Sequence, residues 1–136
     1  MAFLNDLVAF FYDNGVMPAE ITASSTDREG TYLQYLPDSP NNAWCAKVYA
    51  TDAPALAGKQ SGVVHVQIIA RNESHGTVFN SINTLWQFLL NRPEFIEDFE
   101  DYFVIFAAQS GPIPTGRDEQ GNYLYTLNFP VTTKLY

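Results

Sequence analysis

Apolar and polar positions recur along this chain with two different periods, and the places where the period changes mark its elements. Over residues 2–14, Phe3, Leu4, Leu7, Val8, Phe10 and Phe11 fall at helical spacing, while Asn5, Asp6 and Asp13 turn away. That pattern predicts a helix, which Gly15 stops. At residues 63–71 (VVHVQIIAR) the period drops to two. Val64, Val66, Ile68 and Ala70 take one side, and His65, Gln67 and Arg71 fall with Val63 and Ile69 on the other. The first face suits a core, and the second, being semi-polar, is a candidate interface. Helical spacing returns from about Ser74 to Asn91, with Ser74 as N-cap. Val78, Ile82, Leu85 and Leu89 form its stripe, Phe79 and Trp86 widen it, and Asn91-Arg92-Pro93 ends it.

The remaining segments are shorter and more mixed. Strands are expected at 31–36 and 43–50, separated by the turn-forming PDSPNN. Residues 16–30 are polar and turn-rich, with Met17-Pro18 disfavouring helix, and 51–62 (TDAPALAGKQSG) read as a mobile loop. Residues 93–101 gather Glu94, Glu97, Asp98, Glu100 and Asp101 around Phe95, Ile96 and Phe99, which predicts a short amphipathic turn of helix. A strand at 102–108 (YFVIFAA) leads into a proline-broken loop, QSGPIPTGRDEQGN, and then into a terminal strand, YLYTLNFPVTTKLY. In that strand Tyr123, Tyr125, Leu127, Phe129 and Val131 point one way, and Pro130, which has no N–H to donate, predicts an edge or a bulge. The order α, β, β, β, α, β, β predicts an α+β fold: an antiparallel or mixed sheet of four to five strands with two main helices packed on one face. Its 136 residues suit one domain spanning 1–136.

Composition narrows the function. Apolar residues make up 46% of the chain, enough for a core, whereas charged residues make up 16%, below the quarter usual for a soluble domain. A surface so short of charge suits a subunit that buries area against neighbours. Fifteen acids against seven Lys and Arg give a net charge of −8, which argues against gripping nucleic acid by its phosphates. An acidic wall past which DNA slides fits the same balance, as does charge that serves only solubility. The single cysteine, Cys45, excludes an intrachain disulfide and reads as a small buried hydrophobe in a strand. The N-terminal segment has neither a basic leader nor a small-residue cleavage site, and Asn5 and Asp6 break its apolar run. Neither a signal peptide nor a membrane span is expected there.

Catalytic and ligand-binding patterns are not expected from the residues. His65 and His75 stand ten apart with no carboxylate at metal-ligand spacing, and HxxxH, CxxC and HExxH do not occur. GxSxG, GxGxxG and the P-loop pattern do not occur either. The acids at 94–101 lack a partner arranged for hydrolysis and read as a solvated face. Trp44, Tyr49, Trp86 and Tyr102 fall at core-compatible positions without interleaved cations, unlike base-stacking platforms. No catalytic residue, cofactor or metal is therefore assigned.

Taken in order, the N-terminal helix, the strand ending in arginine (VQIIAR), the aliphatic helix, YFVIFAA, GPIPTGRDEQGN and the Asn-aromatic pair in YTLNF resemble the small tail-terminator (minor capsid) proteins of long-tailed bacteriophages. The resemblance implies a non-enzymatic virion protein of α+β fold, assembled in the host cytoplasm. It further implies a hexameric ring that caps the tail tube at its head-proximal end, halts tube growth and docks the head connector. The expected partners are other copies of the chain, the tail-tube protein and the head-connector protein. DNA is expected to pass through without specific binding, and no membrane is involved. On this reading His65, Gln67 and Arg71 are candidate subunit contacts. Glu94, Glu97, Asp98, Glu100 and Asp101 are candidates for an acidic lumen or a tube-facing rim. The alternatives are another neck or tail component, such as a head-completion or tube protein, or a small α+β ligand-binding domain or enzyme.

Overall fold

The two strands of clearest alternation lie side by side and organise the rest of the protein. In the structure, a computed structural model that describes residues 3–21, 28–51, 61–91, 96–98, 102–106 and 110–135, the elements follow in a fixed order. They are α1 (Phe3–Asp13), β1 (Thr31–Leu33), β2 (Ala43–Thr51), β3 (Ser61–Asn72), α2 (His75–Leu90), β4 (Ile96–Asp98), β5 (Tyr102–Phe106), β6 (Ile113–Arg117) and β7 (Tyr123–Leu135). β3 and β7 pair antiparallel from Ser61↔Lys134 to Asn72↔Tyr123. The sheet runs β1-β2-β3-β7-β5-β4, with β6 also paired to β7. Among the described strand pairs β1 against β2 is parallel and the rest are antiparallel, so the sheet is mixed. The fold class is α+β, as expected, with seven strands among the described residues rather than four to five.

One face of this sheet and the helices α1 and α2 enclose a shared core. Val64, Val66, Ile68 and Ala70 of β3 are fully buried, as their alternation predicts, beside Leu127, Phe129 and Val131 of β7. Phe3, Leu4, Leu7, Val8 and Phe11 of α1 and Val78, Ile82, Leu85 and Leu89 of α2 pack on them in the same cluster. Each fully buried side chain of this size stabilises the fold by roughly 1.5–3 kcal/mol relative to leaving it exposed. Phe11 is the aromatic hub: its ring centroid lies 6.1 Å from Phe88, 5.8 Å from Phe106 and 6.2 Å from Phe129. One ring thus ties α1 to α2, β5 and β7.

The helix ends obey their local signals. Gly15 adopts φ 73°, and its N–H bonds the Tyr12 carbonyl while that of Val16 bonds Phe11, the paired pattern that closes a helix through a left-handed residue. At α2 the Ser74 hydroxyl accepts from the Thr77 N–H at 3.4 Å, and the N–H of Asn91 returns to Gln87. Among the described residues no helix is long and apolar enough to cross a membrane.

Several expectations are corrected. β1 stops at Leu33 because Gln34 turns to φ 73°. Ile96–Asp98, expected within a helical turn, is a strand antiparallel to β5. A single helical turn closes too few hydrogen bonds to offset its nucleation cost, whereas β5 offers ready backbone partners. Ile113–Arg117, expected in a loop, is an edge strand along β7 that tolerates Pro114. Pro130 does not mark a sheet edge, since β7 lies between β3 and β5. Its seat falls where the flank away from β3 changes from β6, paired up to Thr126, to β5, paired from Val131. A missing N–H is tolerated at such a break in the ladder. The segment 52–60 lies outside the described residues.

Candidate assembly surface

The side chains of the sheet that point away from the helices form rows across adjacent strands. Register places Lys47 of β2, Gln67 of β3 and Asn128 of β7 in one row, and the Gln67 amide donates to the Asn128 side chain at 3.0 Å. In the next row His65 stands opposite Pro130, and the bulge between Val48 and Ala50 brings Tyr49 alongside, its ring 5.8 Å from the imidazole. Val63, Thr132 and Ile105 form a third row. Most of these side chains are half-buried, and Tyr49 is 51% exposed instead of lying in the core as its position suggested. Among the described residues neither helix covers this face, because both pack on the other one. A pleated surface of amides, aliphatics, one imidazole and one aromatic, with Lys47 as its charged group, is suited to contact with another folded surface.

Of the predicted contact residues, His65 and Gln67 lie on this open face. Arg71 is on the same side of β3 but only 5% exposed. Its Nε donates to the Asn41 carbonyl at 3.1 Å, its Nη2 donates to the Pro40 carbonyl, and Nε lies 3.8 Å from Asp118 Oδ2. The Asn122 side chain donates to Asn41 Oδ1 at 3.3 Å and to Asp118 Oδ2 at 3.0 Å. Asn42 Oδ1 accepts from the Glu73 N–H at 3.1 Å. This node ties the 40–42 loop to the β6–β7 turn across the end of the sheet. The guanidinium is committed within the chain, so Arg71 shapes the neighbouring loops.

The turn itself is built by Asp118. Its Oδ1 accepts from the N–H groups of Gln120 and Asn122, its carbonyl takes the Gly121 N–H, and Gly121 adopts φ 83°. Burial of Asp118 opposes its ionisation. Hydrogen bonds from the Asn122 side chain and from the Asn122 and Gln120 backbone, with Arg71 nearby, outweigh that and hold the carboxyl below its ordinary 3.8. Arg117 closes the turn from outside, donating to the Gly121 carbonyl and lying 4.6 Å above the Tyr123 ring. Sequence reasoning missed Asn41, Asp118 and Asn122. Asp-x-x-Gly-Asn between two alternating runs was a readable hairpin signal, masked by the two prolines just upstream.

Of the predicted acidic rim, Glu94, Glu100 and Asp101 lie outside the described residues, and Glu97 and Asp98 belong to the edge strand β4. His75 opens α2 with its Nε2 2.8 Å from the Tyr125 hydroxyl and its ring against Tyr123. Among the described residues no three His, Cys, Asp or Glu side chains gather closely enough to hold a metal. An open groove of about 450 Å³ between the end of α1 and the flank of α2 is lined by Tyr12, Gly15, Val16, Met17, Pro18, Trp44, Ser81 and Thr84. It contains no carboxylate, imidazole, amine or thiol.

Among the described residues, helices lie on one face of the sheet and an open, weakly charged surface on the other. Residues 12–135 match the bacteriophage tail terminator protein family, and the chain belongs to that family. It is accordingly a phage structural protein and a component of the virion. No curated protein matches the chain.

Proposed function

We propose that this protein caps the tail tube as a ring, the closed assembly open to a subunit with two unlike contact patches, stopping tube polymerisation and offering the surface to which the head connector docks. The observation that carries the reading is the open sheet face of Lys47, Tyr49, His65, Gln67 and Asn128 in a chain of the tail-terminator family. His65 and Gln67 contribute directly to subunit contact, and Arg71 contributes through the 40–42 loop that it anchors. The partners are further copies of the chain, six in the closed ring, the tail-tube protein and the head connector, at the head-proximal end of the tail. DNA passes through without specific binding, consistent with 15 acids against seven basic residues. The acids Glu94, Glu97, Asp98, Glu100 and Asp101 line the lumen or the rim facing the tube.

The test is polymerisation of the tail-tube protein with substoichiometric amounts of this chain, with tube length scored by electron microscopy. Tubes shortened in proportion to added protein, with the chain at one end only, support the reading. Unchanged lengths, or incorporation along the whole tube, refute it.

A further inference from the structure

We infer that the outer face of α2 on one copy seats against the open sheet face of the next, so that two opposite surfaces of the subunit form the repeating contact. The inference rests on the ring reading above and names the surfaces through which such a ring closes.

From Ser74 to Asn91 the chain carries no Asp, Glu, Lys or Arg. Beyond its first two residues, α2 turns Thr77, Asn80, Thr84 and Gln87 to the outside, as it does its C-cap Asn91, with Phe79 still 40% exposed. Asn80, Thr84, Gln87 and Asn91 follow one another at helical spacing along a single line. A helix left to solvent ordinarily carries charge on that side, often as pairs four residues apart. A chain with 15 acids that places none of them here has kept this surface free of charge. Loss of charge with retention of an aromatic is the composition of an interface core.

The sheet face shows the same depletion on the opposite side of the subunit. Across β2, β3 and β7 its exposed and half-buried positions include Lys47, Tyr49, His65, Gln67, Asn128 and Thr132, and among the described residues of this face none is an acid. Because α2 buries Val78, Ile82, Leu85 and Leu89 against the other face of this sheet, the two charge-poor surfaces point in opposite directions. A head-to-tail contact requires two unlike patches on each copy, whereas pairing either patch with itself closes a dimer and leaves the other unused. Amides on both sides supply matched donors and acceptors, leaving Lys47 as the one charge among these sheet-face positions to desolvate or pair. Complementary charge flanks the contact: Lys47 stands on the sheet face, and the exposed Asp13 adjoins Tyr12, which shares a groove with Thr84 of α2.

The test uses two double variants at solvent-accessible positions. Lys47→Glu with Tyr49→Glu blocks the sheet face, and Asn80→Glu with Thr84→Glu blocks α2. Self-association is read by sedimentation over a concentration series, alone and on tail-tube ends, with circular dichroism confirming the fold. Each variant alone is expected to associate on the order of 100-fold more weakly than the unaltered protein. An equimolar mixture of the two is expected to form a dimer and stop there, since one intact sheet face then meets one intact α2 face. Either variant assembling like the unaltered protein, or a mixture that stays monomeric, overturns the assignment of surfaces. Failure of the unaltered protein to self-associate even on tube ends overturns the ring reading, and this assignment with it.

Discussion

Arg71 Nε and Asp118 Oδ2 lie 3.8 Å apart at the end of the sheet, joining the C-terminal end of β3 to the β6–β7 hairpin. The Arg71 side chain is 5% exposed and that of Asp118 19%. The pair is therefore partly shielded from water, and each partner has further hydrogen bonds that compensate its desolvation. Its role is geometric: it holds the 40–42 loop and the 118–122 turn in fixed relation beside the open face.

Replacing Asp118 by Asn is expected to destabilise the protein by about 1–3 kcal/mol near neutral pH, through loss of a charged acceptor beside a buried guanidinium. The folded carboxyl titrates below its ordinary 3.8, so its stabilisation is fully present above that value and is lost as pH falls through the lower folded value. Denaturant unfolding at a series of pH values checks both parts. The gap between the unaltered protein and Asp118→Asn should be widest above about pH 5 and close in stronger acid.

Arg71→Lys is expected to cost about 1–3 kcal/mol despite keeping the charge. An ammonium cannot span the carbonyls of Pro40 and Asn41 and also face Asp118 as the planar fork does. Hydrogen exchange should rise at the Glu73 N–H, which bonds Asn42 in the same loop. Retention of stability and protection in Arg71→Lys would show that the fork geometry is dispensable.

Phe11→Ala is expected to cost about 3–5 kcal/mol, because it removes the ring shared by α1, α2, β5 and β7. Ile113→Ser is the contrast: Ile113 is 49% exposed on the edge strand β6, and the change should stay within about 0.5 kcal/mol. Chemical unfolding midpoints of the two variants measure the difference directly.

Cys45 is expected to resist thiol reagents in the folded protein. Burial pushes its thiol up to about 11, and Lys47, which favours the thiolate, offsets only part of this. Labelling with a chromogenic disulfide near pH 8 should be slow in buffer and rapid in denaturant, because the thiolate is the reactive form. Rapid labelling of the native state would place the thiol at the surface.

Much of this fold could be read from local pattern. The alternation of β3 and β7, the stripe of α2, the Ser74 cap and the Gly15 stop appear where the residues predict them, since each depends only on near neighbours in the chain. The open face with His65 and Gln67 followed from the same alternation. The failures share one cause. Pro130 predicts an edge or a bulge, but its tolerance depends on which strand flanks β7 at that point. Ile113–Arg117 and Ile96–Asp98 become strands because β7 and β5 supply hydrogen-bonding edges from elsewhere in the sequence. The semi-polar side of β3 was legible as a surface, but not the burial of Arg71 at its end, which requires the 40–42 loop and the Asp118 turn to converge on it.

By itself, then, the sequence determined the periodicities: two amphipathic helices, the principal strands, and which side of each seeks the core. Tertiary structure decided strand neighbours, the seat of Pro130, the strands β4 and β6, and the partners of Arg71. Hydrophobic burial is written residue by residue, at a spacing set by the backbone, whereas strand pairing and side-chain partnership depend on groups brought together only when the whole sheet closes.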